Sequence, residues 1–202
     1  MNVDRSRFAE AIELWTEWNA KINVVSRKDV DMLYEHHILH SLSILQYLVE
    51  NGHIGPDDGD AATFLDVGCG GGFPGIPLAI ALPGAEFTLC DSIGKKIRVA
   101  QAVSEGIGLT NVRCVNARVE TLTGRFDWVV SRAVTSLDNF YPWVRGKFDK
   151  GILYLKGGDV NDEISALCAR CGVDPSKVTV WPVSNWLDDD YFAEKFVIHI
   201  RK

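Results

Sequence analysis

No stretch of this 202-residue chain approaches the roughly 18 consecutive apolar residues that a membrane-spanning helix needs. The opening residues, Met1-Asn2-Val3-Asp4-Arg5, have neither the apolar segment nor the small-residue cleavage site of a signal peptide. Cysteine is sparse and odd in number, five residues at 69, 90, 114, 168 and 171, which predicts reduced thiols in a cytoplasm. Cys168 and Cys171 form one Cys-x-x-Cys, but a structural zinc site wants four ligands and no second such pair exists. These two are read as packing residues on successive turns of a helix. A Gly-x-x-x-x-Gly-Lys-Ser/Thr phosphate loop is absent, which argues against an NTPase. Basic residues are also in deficit, 21 against 27 acidic for a net charge of −6, which on the global balance disfavours nucleic acid as a partner.

What is present is an ordinary globular composition, 47% apolar and 24% charged, which excludes wholesale disorder. The length predicts one substantial unit with a short appendage. The charge is not evenly spread. Residues 1–90 carry −8, residues 91–156 carry +5 and residues 157–202 carry −3. The middle third is therefore a basic island in an acidic protein.

Phe8, Ile12, Trp15 and Trp18 recur at helical spacing with Glu10, Glu13 and Glu17 between them, which predicts an amphipathic helix over 4–20. A second helix is predicted from near Ser26 to about Val49, with Ser26 and Asp29 read as a capping box. Its apolar side carries Leu33, His37, Ser41, Leu42, Leu45 and Leu48. A polar, turn-rich linker over 51–60 follows. Beyond it, strands and helices alternate. Strands are expected at 63–67, 86–90, 112–115, 126–130 and 152–155, and helices at 76–82, 94–107, 136–146 and 160–171. Two closing strands, 178–180 and 196–200, have no helix between them. The expected fold is an α/β seven-stranded, mostly parallel sheet with helices on both faces and an antiparallel edge. The chain divides into an N-terminal helical extension, 1–60, and an α/β domain, 61–202.

The turn after the first strand reads Asp66-Val67-Gly68-Cys69-Gly70-Gly71-Gly72-Phe73-Pro74-Gly75 and leads into a helix. Glycines such as Gly68 and Gly70 let a backbone turn tightly and approach a ligand that a β-carbon would exclude. Asp91 follows the second strand, where a carboxylate can accept hydrogen bonds from ribose hydroxyls. A Gly-x-Gly-x-x-Gly frame exists at Gly70, Gly72 and Gly75, but it starts late for a dinucleotide site. Counted from Gly68, Phe73 stands where the third dinucleotide glycine would be. The arrangement resembles the first motif of class I methyltransferases, which are Rossmann-like and bind S-adenosylmethionine, a ligand without a pyrophosphate.

Further stretches narrow the resemblance. They are Trp18-Asn19, Asn23-Val24-Val25-Ser26, His37-Ile38-Leu39-His40-Ser41, the Phe73-Pro74-Gly75-Ile76-Pro77 extension of the loop, Asp91-Ser92-Ile93-Gly94-Lys95-Lys96, Arg118-Val119-Glu120, Ser131-Arg132-Ala133 and Leu155-Lys156-Gly157-Gly158. Over most of its length the chain resembles the glucose-inhibited division protein B family, the 16S ribosomal RNA guanine-N7 methyltransferase G family. His40 departs from that family, where many members have Asp. The resemblance implies cofactor contacts at Gly68 and Phe73, at Val119 and Glu120, and at Arg132. It also implies S-adenosylmethionine as cofactor, and 16S ribosomal RNA or the small ribosomal subunit as partner.

The target chemistry agrees. The Asn/Asp-Pro-Pro-Tyr/Phe motif of adenine amino methylases is absent after the fourth strand, and no Pro-Cys nucleophile of pyrimidine-C5 methylases exists. Guanine N7 has an in-plane lone pair and no proton to lose, so it needs positioning more than a general base. Arg132 is the catalytic candidate, able to clamp a phosphate, donate to guanine O6 or contact the cofactor; a structural ion pair with Asp66 or Asp91 is the alternative. Of Lys95, Lys96, Arg98, Arg145, Lys147, Lys150 and Lys156, those near the carboxyl ends of the strands are expected to meet RNA phosphates, whereas those at helix C-termini, such as Arg145 and Lys147, are read as complementing the helix dipole. Tyr141 and Trp143 are read chiefly as core residues, with stacking on an extruded base as the alternative. His36, His37 and His40 are read as helix packing or hydrogen bonding without a metal, with contact to RNA or the cofactor pocket as the second reading. The chain is expected to act as a cytoplasmic monomer. A small-molecule methyltransferase and a non-catalytic ribosome-associated factor are the competing readings.

Overall fold

The computed structural model describes residues 5–26, 29–55 and 61–202. The expected linker is described only as far as Gly55, and its remainder lies outside the described residues, as do residues 1–4. Seven strands form one sheet: β1 Thr63–Val67, β2 Glu86–Asp91, β3 Val112–Asn116, β4 Phe126–Arg132, β5 Phe148–Gly157, β6 Val178–Pro182 and β7 Lys195–Arg201. Their order is β3-β2-β1-β4-β5-β7-β6. β1 to β5 pair in parallel, and β7 runs antiparallel to both β5 and β6. The closing strands thus make the expected antiparallel edge, with β7 inserted between β5 and β6.

Strand alternation explains the layering. Successive side chains point to opposite faces, so Phe64 and Trp128 join one buried cluster while Leu65 and Val129 join the other. The first cluster is covered by α1 Arg5–Asn19, α2 His40–Glu50, α3 Gly75–Ala81 and α4 Gly94–Gly106. The second is covered by α5 Leu137–Val144 and α6 Asn161–Cys171. The chain steps outward from β1 through β2 to β3, then returns to the other side of β1 at β4. In such sheets a crevice opens at the carboxyl ends of the strands where the order reverses, here between β1 and β4.

On α1 the fully buried positions are Phe8, Ala11 and Trp15, while Ile12 and Trp18 are half-buried. The second predicted helix is a composite. A short 3-10 turn, Val30–Met32, passes into a π-helical segment, Leu33–Leu39, and only then into α2. The capping-box reading is corrected. Asp29 makes no side-chain capping bond to that turn, because its carboxylate is occupied by two histidines further along the chain. No helix among the described residues is long and apolar enough to cross a membrane.

Candidate active site

The crevice is built first from backbone. Gly68 lies at φ +68°, and a β-carbon there would come within 2.4 Å of Val134 Cγ2. Gly70, at φ +55°, faces open space, so the loop keeps a bare backbone toward the crevice. Two carboxylates hold this loop. Asp66, fully buried at the end of β1, accepts the Gly75 N–H at 2.8 Å where α3 begins. Burial pushes its pKa up to about 8, so it is largely protonated at neutral pH. Asp91 accepts the Gly70 N–H at 3.0 Å through one oxygen and the Ile93 N–H at 2.8 Å through the other. A carboxylate has about four acceptor sites, so Asp91 keeps capacity for a ligand hydroxyl.

All seven residues singled out from the sequence (Gly68, Gly70, Phe73, Asp91, Val119, Glu120 and Arg132) line one cavity of about 420 Å³. The donor set suits S-adenosylmethionine. A bare glycine backbone and an acidic side chain suit its nucleoside, and Phe73 and Val119 offer apolar surface. Sequence reasoning missed Val24 and Arg118, which also line this cavity, and read Trp143 chiefly as core although it contributes to the same wall. Val24 carries no chemical signal of its own. It is there because its side chain lies against the bare Cα of Gly71.

The N-terminal segment reaches the cavity at three points. Trp15 stacks on Phe73 with ring centroids 4.3 Å apart, and its Nε1–H donates to the Gly71 carbonyl at 2.7 Å. Val24 is the second point. The third is a relay from Asp29 through His37 to Arg132. The His36 Nδ1 and His37 Nε2 atoms lie 2.6 and 2.9 Å from the two Asp29 oxygens. An Arg132 guanidinium nitrogen lies 2.8 Å from His37 Nδ1. A guanidinium can only donate, so His37 Nδ1 must accept and its proton sits on Nε2, pointing at Asp29. Burial and the neighbouring Arg132 push the His37 pKa down to about 4, which keeps the ring neutral as this pattern requires. Asp29 is raised by burial, but the hydrogen bonds from the two histidines outweigh that and hold it below the usual carboxylate range.

Arg132 therefore pairs with neither Asp66 nor Asp91. Its guanidinium carbon sits 4.9 Å from the Phe73 ring centroid, and burial brings its pKa down to about 10, still fully cationic at neutral pH. Ala133, next in sequence, is the one non-glycine among the described residues with positive φ, +52°. Holding an L-residue there costs on the order of 1 kcal/mol, and such strain clusters at ligand sites.

The basic island is corrected in part. Lys96 and Arg118 line the cavity above, and Lys156 lines a second one beside it, with Arg132 in both. Lys147 and Lys150 instead lie at the amino ends of β4 and β5, remote from the crevice. Lys147 donates to the Leu122 carbonyl, and Lys150 sits 3.6 Å from Asp127. The island is contiguous in sequence but split between the two ends of the sheet. Tyr141 packs edge-on to Phe148, as a core residue should. Cys171 donates to the Asp138 carbonyl at 3.4 Å, and no disulfide joins it to Cys168. Among the described residues no cluster of His, Cys, Asp or Glu side chains is arranged to hold a metal ion.

Comparison with known proteins places this geometry. The structure resembles magnesium protoporphyrin IX methyltransferase from Synechocystis, solved with S-adenosylmethionine bound. The TM-score is 0.65 at 17% identity over 94% of this chain and 90% of that one. It also resembles the Thermus thermophilus 16S rRNA N2 G1207 methyltransferase, solved with S-adenosylmethionine and guanosine, with a TM-score of 0.60 at 18% identity over 83% and 43% of the two chains. At those identities the likeness concerns the fold, which is that of class I S-adenosylmethionine-dependent methyltransferases. Sequence relatives are much nearer. The ribosomal RNA small subunit methyltransferase G of Christiangramia forsetii is 47% identical, with 96% of this chain and 89% of the relative covered. That of Cytophaga hutchinsonii is 44% identical, with 96% and 90% covered. The profile of the GidB family, described as rRNA small subunit methyltransferase G, matches residues 5–185. The chain belongs to the rRNA small subunit methyltransferase G family.

Proposed function

We propose that this protein transfers a methyl group from S-adenosylmethionine to N7 of a guanine in 16S ribosomal RNA of the small subunit, acting as a monomer in the cytoplasm. One observation carries the reading: in a chain of this family, seven residues chosen for cofactor chemistry surround a single cavity at the β1/β4 switch. When bound, the cofactor supplies an electrophilic methyl group. The protein's own residues do the rest by position. Gly68 and Gly70 leave room for the ligand at the turn, Asp91 offers an acceptor to ribose hydroxyls, and Glu120 with Val119 stands where the adenine edge would be read. Phe73 presents a ring held between Trp15 and Arg132. No general base is required, because guanine N7 has no proton to lose. Arg132 orients the acceptor, free to donate because His37 occupies only one of its nitrogens.

The experiment is chemical cleavage at 7-methylguanine followed by primer extension on 16S RNA, comparing cells with and without the protein. Loss of one N7-methylguanine stop in the deletion strain is expected, and unchanged small-subunit RNA refutes the assignment. Purified Arg132→Ala is expected to lose about 100-fold in methylation rate, the equivalent of one or two charged hydrogen bonds, while its thermal unfolding stays cooperative. Turnover near that of the parent protein would refute an essential role for this side chain.

A further inference from the structure

The turn after β4, residues 132–136, forms part of the cofactor cavity wall through Arg132, Ala133 and Val134. It also meets the glycine loop directly. Val134 Cγ2 occupies the space that a side chain at Gly68 would need. Where this turn sits therefore sets how closely the wall approaches the loop. Its own conformational preference does not keep it there. Ala133 lies in the left-handed region, which an L-residue leaves unless its surroundings over-determine it.

The main tie is a single hydroxyl. Tyr154 stands beside Ser131 in the β4/β5 register, its ring fully buried and edge-on to Phe140 with centroids 4.7 Å apart. Its Oη accepts the Val134 N–H at 2.9 Å and the Thr135 N–H at 3.0 Å, and donates to the Thr135 carbonyl at 3.0 Å. A phenol oxygen has one proton and two lone pairs, so its whole capacity goes to this turn. Burial pushes the Tyr154 pKa up, so it keeps the proton it donates. Two other side chains help at the far end of the turn. Lys156 Nζ donates to the Thr135 carbonyl at 2.7 Å, and Glu163 accepts the Leu137 N–H at 3.0 Å. Neither bonds Val134, the residue that touches the loop.

We propose that Tyr154 is a positioning residue for the cofactor: its hydroxyl fixes the turn after β4 so that Val134 closes on Gly68 and the cavity grips its ligand. Tyr154 does not itself line the cavity and acts through Val134. The inference rests on the methyltransferase reading and deepens it by adding a residue that no cofactor motif marks. Removing the hydroxyl leaves two backbone donors without their acceptor. Ala133 then relaxes toward negative φ and carries Val134 off the loop. Another buried tyrosine supplies the contrast. Tyr47, in the cluster on the opposite face of the sheet, has its Oη 2.9 Å from His199 Nδ1 and does not line the cavity. Its hydroxyl serves packing alone.

The test is calorimetric titration of the full chain with S-adenosylhomocysteine, paired with thermal unfolding. Tyr154→Phe keeps the ring and its packing. It is expected to unfold cooperatively and to bind S-adenosylhomocysteine about tenfold more weakly, as loss of one shared hydrogen-bond acceptor would give. Tyr47→Phe is expected to lower the unfolding midpoint while its affinity stays within about twofold of the parent's. Val134→Ala truncates an exposed side chain and spares the core. It is expected to weaken binding several-fold, and adding Tyr154→Phe to it changes affinity by less than about twofold, because both act at one contact. Parent-like affinity in Tyr154→Phe or in Val134→Ala overturns the inference. So does a double variant whose loss is the product of the two single losses, or a Tyr47→Phe loss equal to that of Tyr154→Phe. Methylation of small subunits by the parent protein is measured in parallel. Activity there with a failed variant series overturns only the role of Tyr154, whereas no activity on any small subunit overturns the methyltransferase reading itself.

Discussion

At the scale of single residues, the relay ending at Arg132 is the most consequential arrangement in the molecule. Its function depends on one tautomer of His37, enforced by a carboxylate on one side and a guanidinium on the other. In Asp29→Asn the amide can present a donor to His37 Nε2. That moves the ring proton to Nδ1, where it opposes the arginine. The variant is expected to lose about tenfold in kcat, the equivalent of one misplaced hydrogen bond, with S-adenosylhomocysteine affinity within threefold. Single-turnover methylation and calorimetric titration check both halves. Unchanged kcat would mean that Arg132 is held adequately by Phe73 alone. This tie could not be read from the sequence. Gly68, Gly70 and Asp91 announce themselves by residue type and distance from a strand, but His37 and Arg132 stand 95 positions apart and meet only because the π-helical segment Leu33–Leu39 and β4 border the same crevice.

At the scale of elements, alternation and glycine placement made the strands and the loop legible. All seven strands lie where the apolar runs put them, with ends shifted by a few residues; β5 extends to ten residues and pairs with β4 on one side and β7 on the other. The π-helical segment was not legible. Its apolar spacing resembles that of an α-helix, and what distinguishes it is the demand of Asp29 for both His36 and His37. The contact of α1 with the glycine loop was equally hidden, since Trp15 looks like any core residue of an amphipathic helix. Trp15→Phe keeps the stack on Phe73 but strands the buried Gly71 carbonyl. An unsatisfied buried acceptor costs about 1–3 kcal/mol. The variant is expected to show a lower melting temperature and an S-adenosylhomocysteine dissociation constant raised several-fold. Calorimetry measures both, and parent-like values for both would mean that the indole hydrogen bond contributes nothing to the loop.

At the scale of the whole molecule, the net charge of −6 conceals the local arrangement, and so does its division by sequence segment. Only the three-dimensional placement separates Lys96, Arg118, Arg132 and Lys156 at the crevice from Lys147 and Lys150 at the far end. The acid response is also a property of the whole. Burial first, and then neighbouring cations, push His37 and His199 down to about 4 from an ordinary 6.5. Between those values the unfolded chain binds more protons, so the stability from each is complete above pH 6.5 and is lost as pH falls toward 4. Each histidine is expected to withdraw about 2 kcal/mol by pH 5. Thermal unfolding at pH 7, 6 and 5 checks this; a melting temperature that does not fall would contradict it. Finally, the three bridges from the N-terminal segment to the crevice, at Trp15, Val24 and His37, bear on substitution as well as on structure. A substitution at Gly71 or Arg132 has to be accommodated by Trp15, Val24 or His37, all of which precede the first strand, so a replacement of the segment before β1 is expected to cost the site its shape.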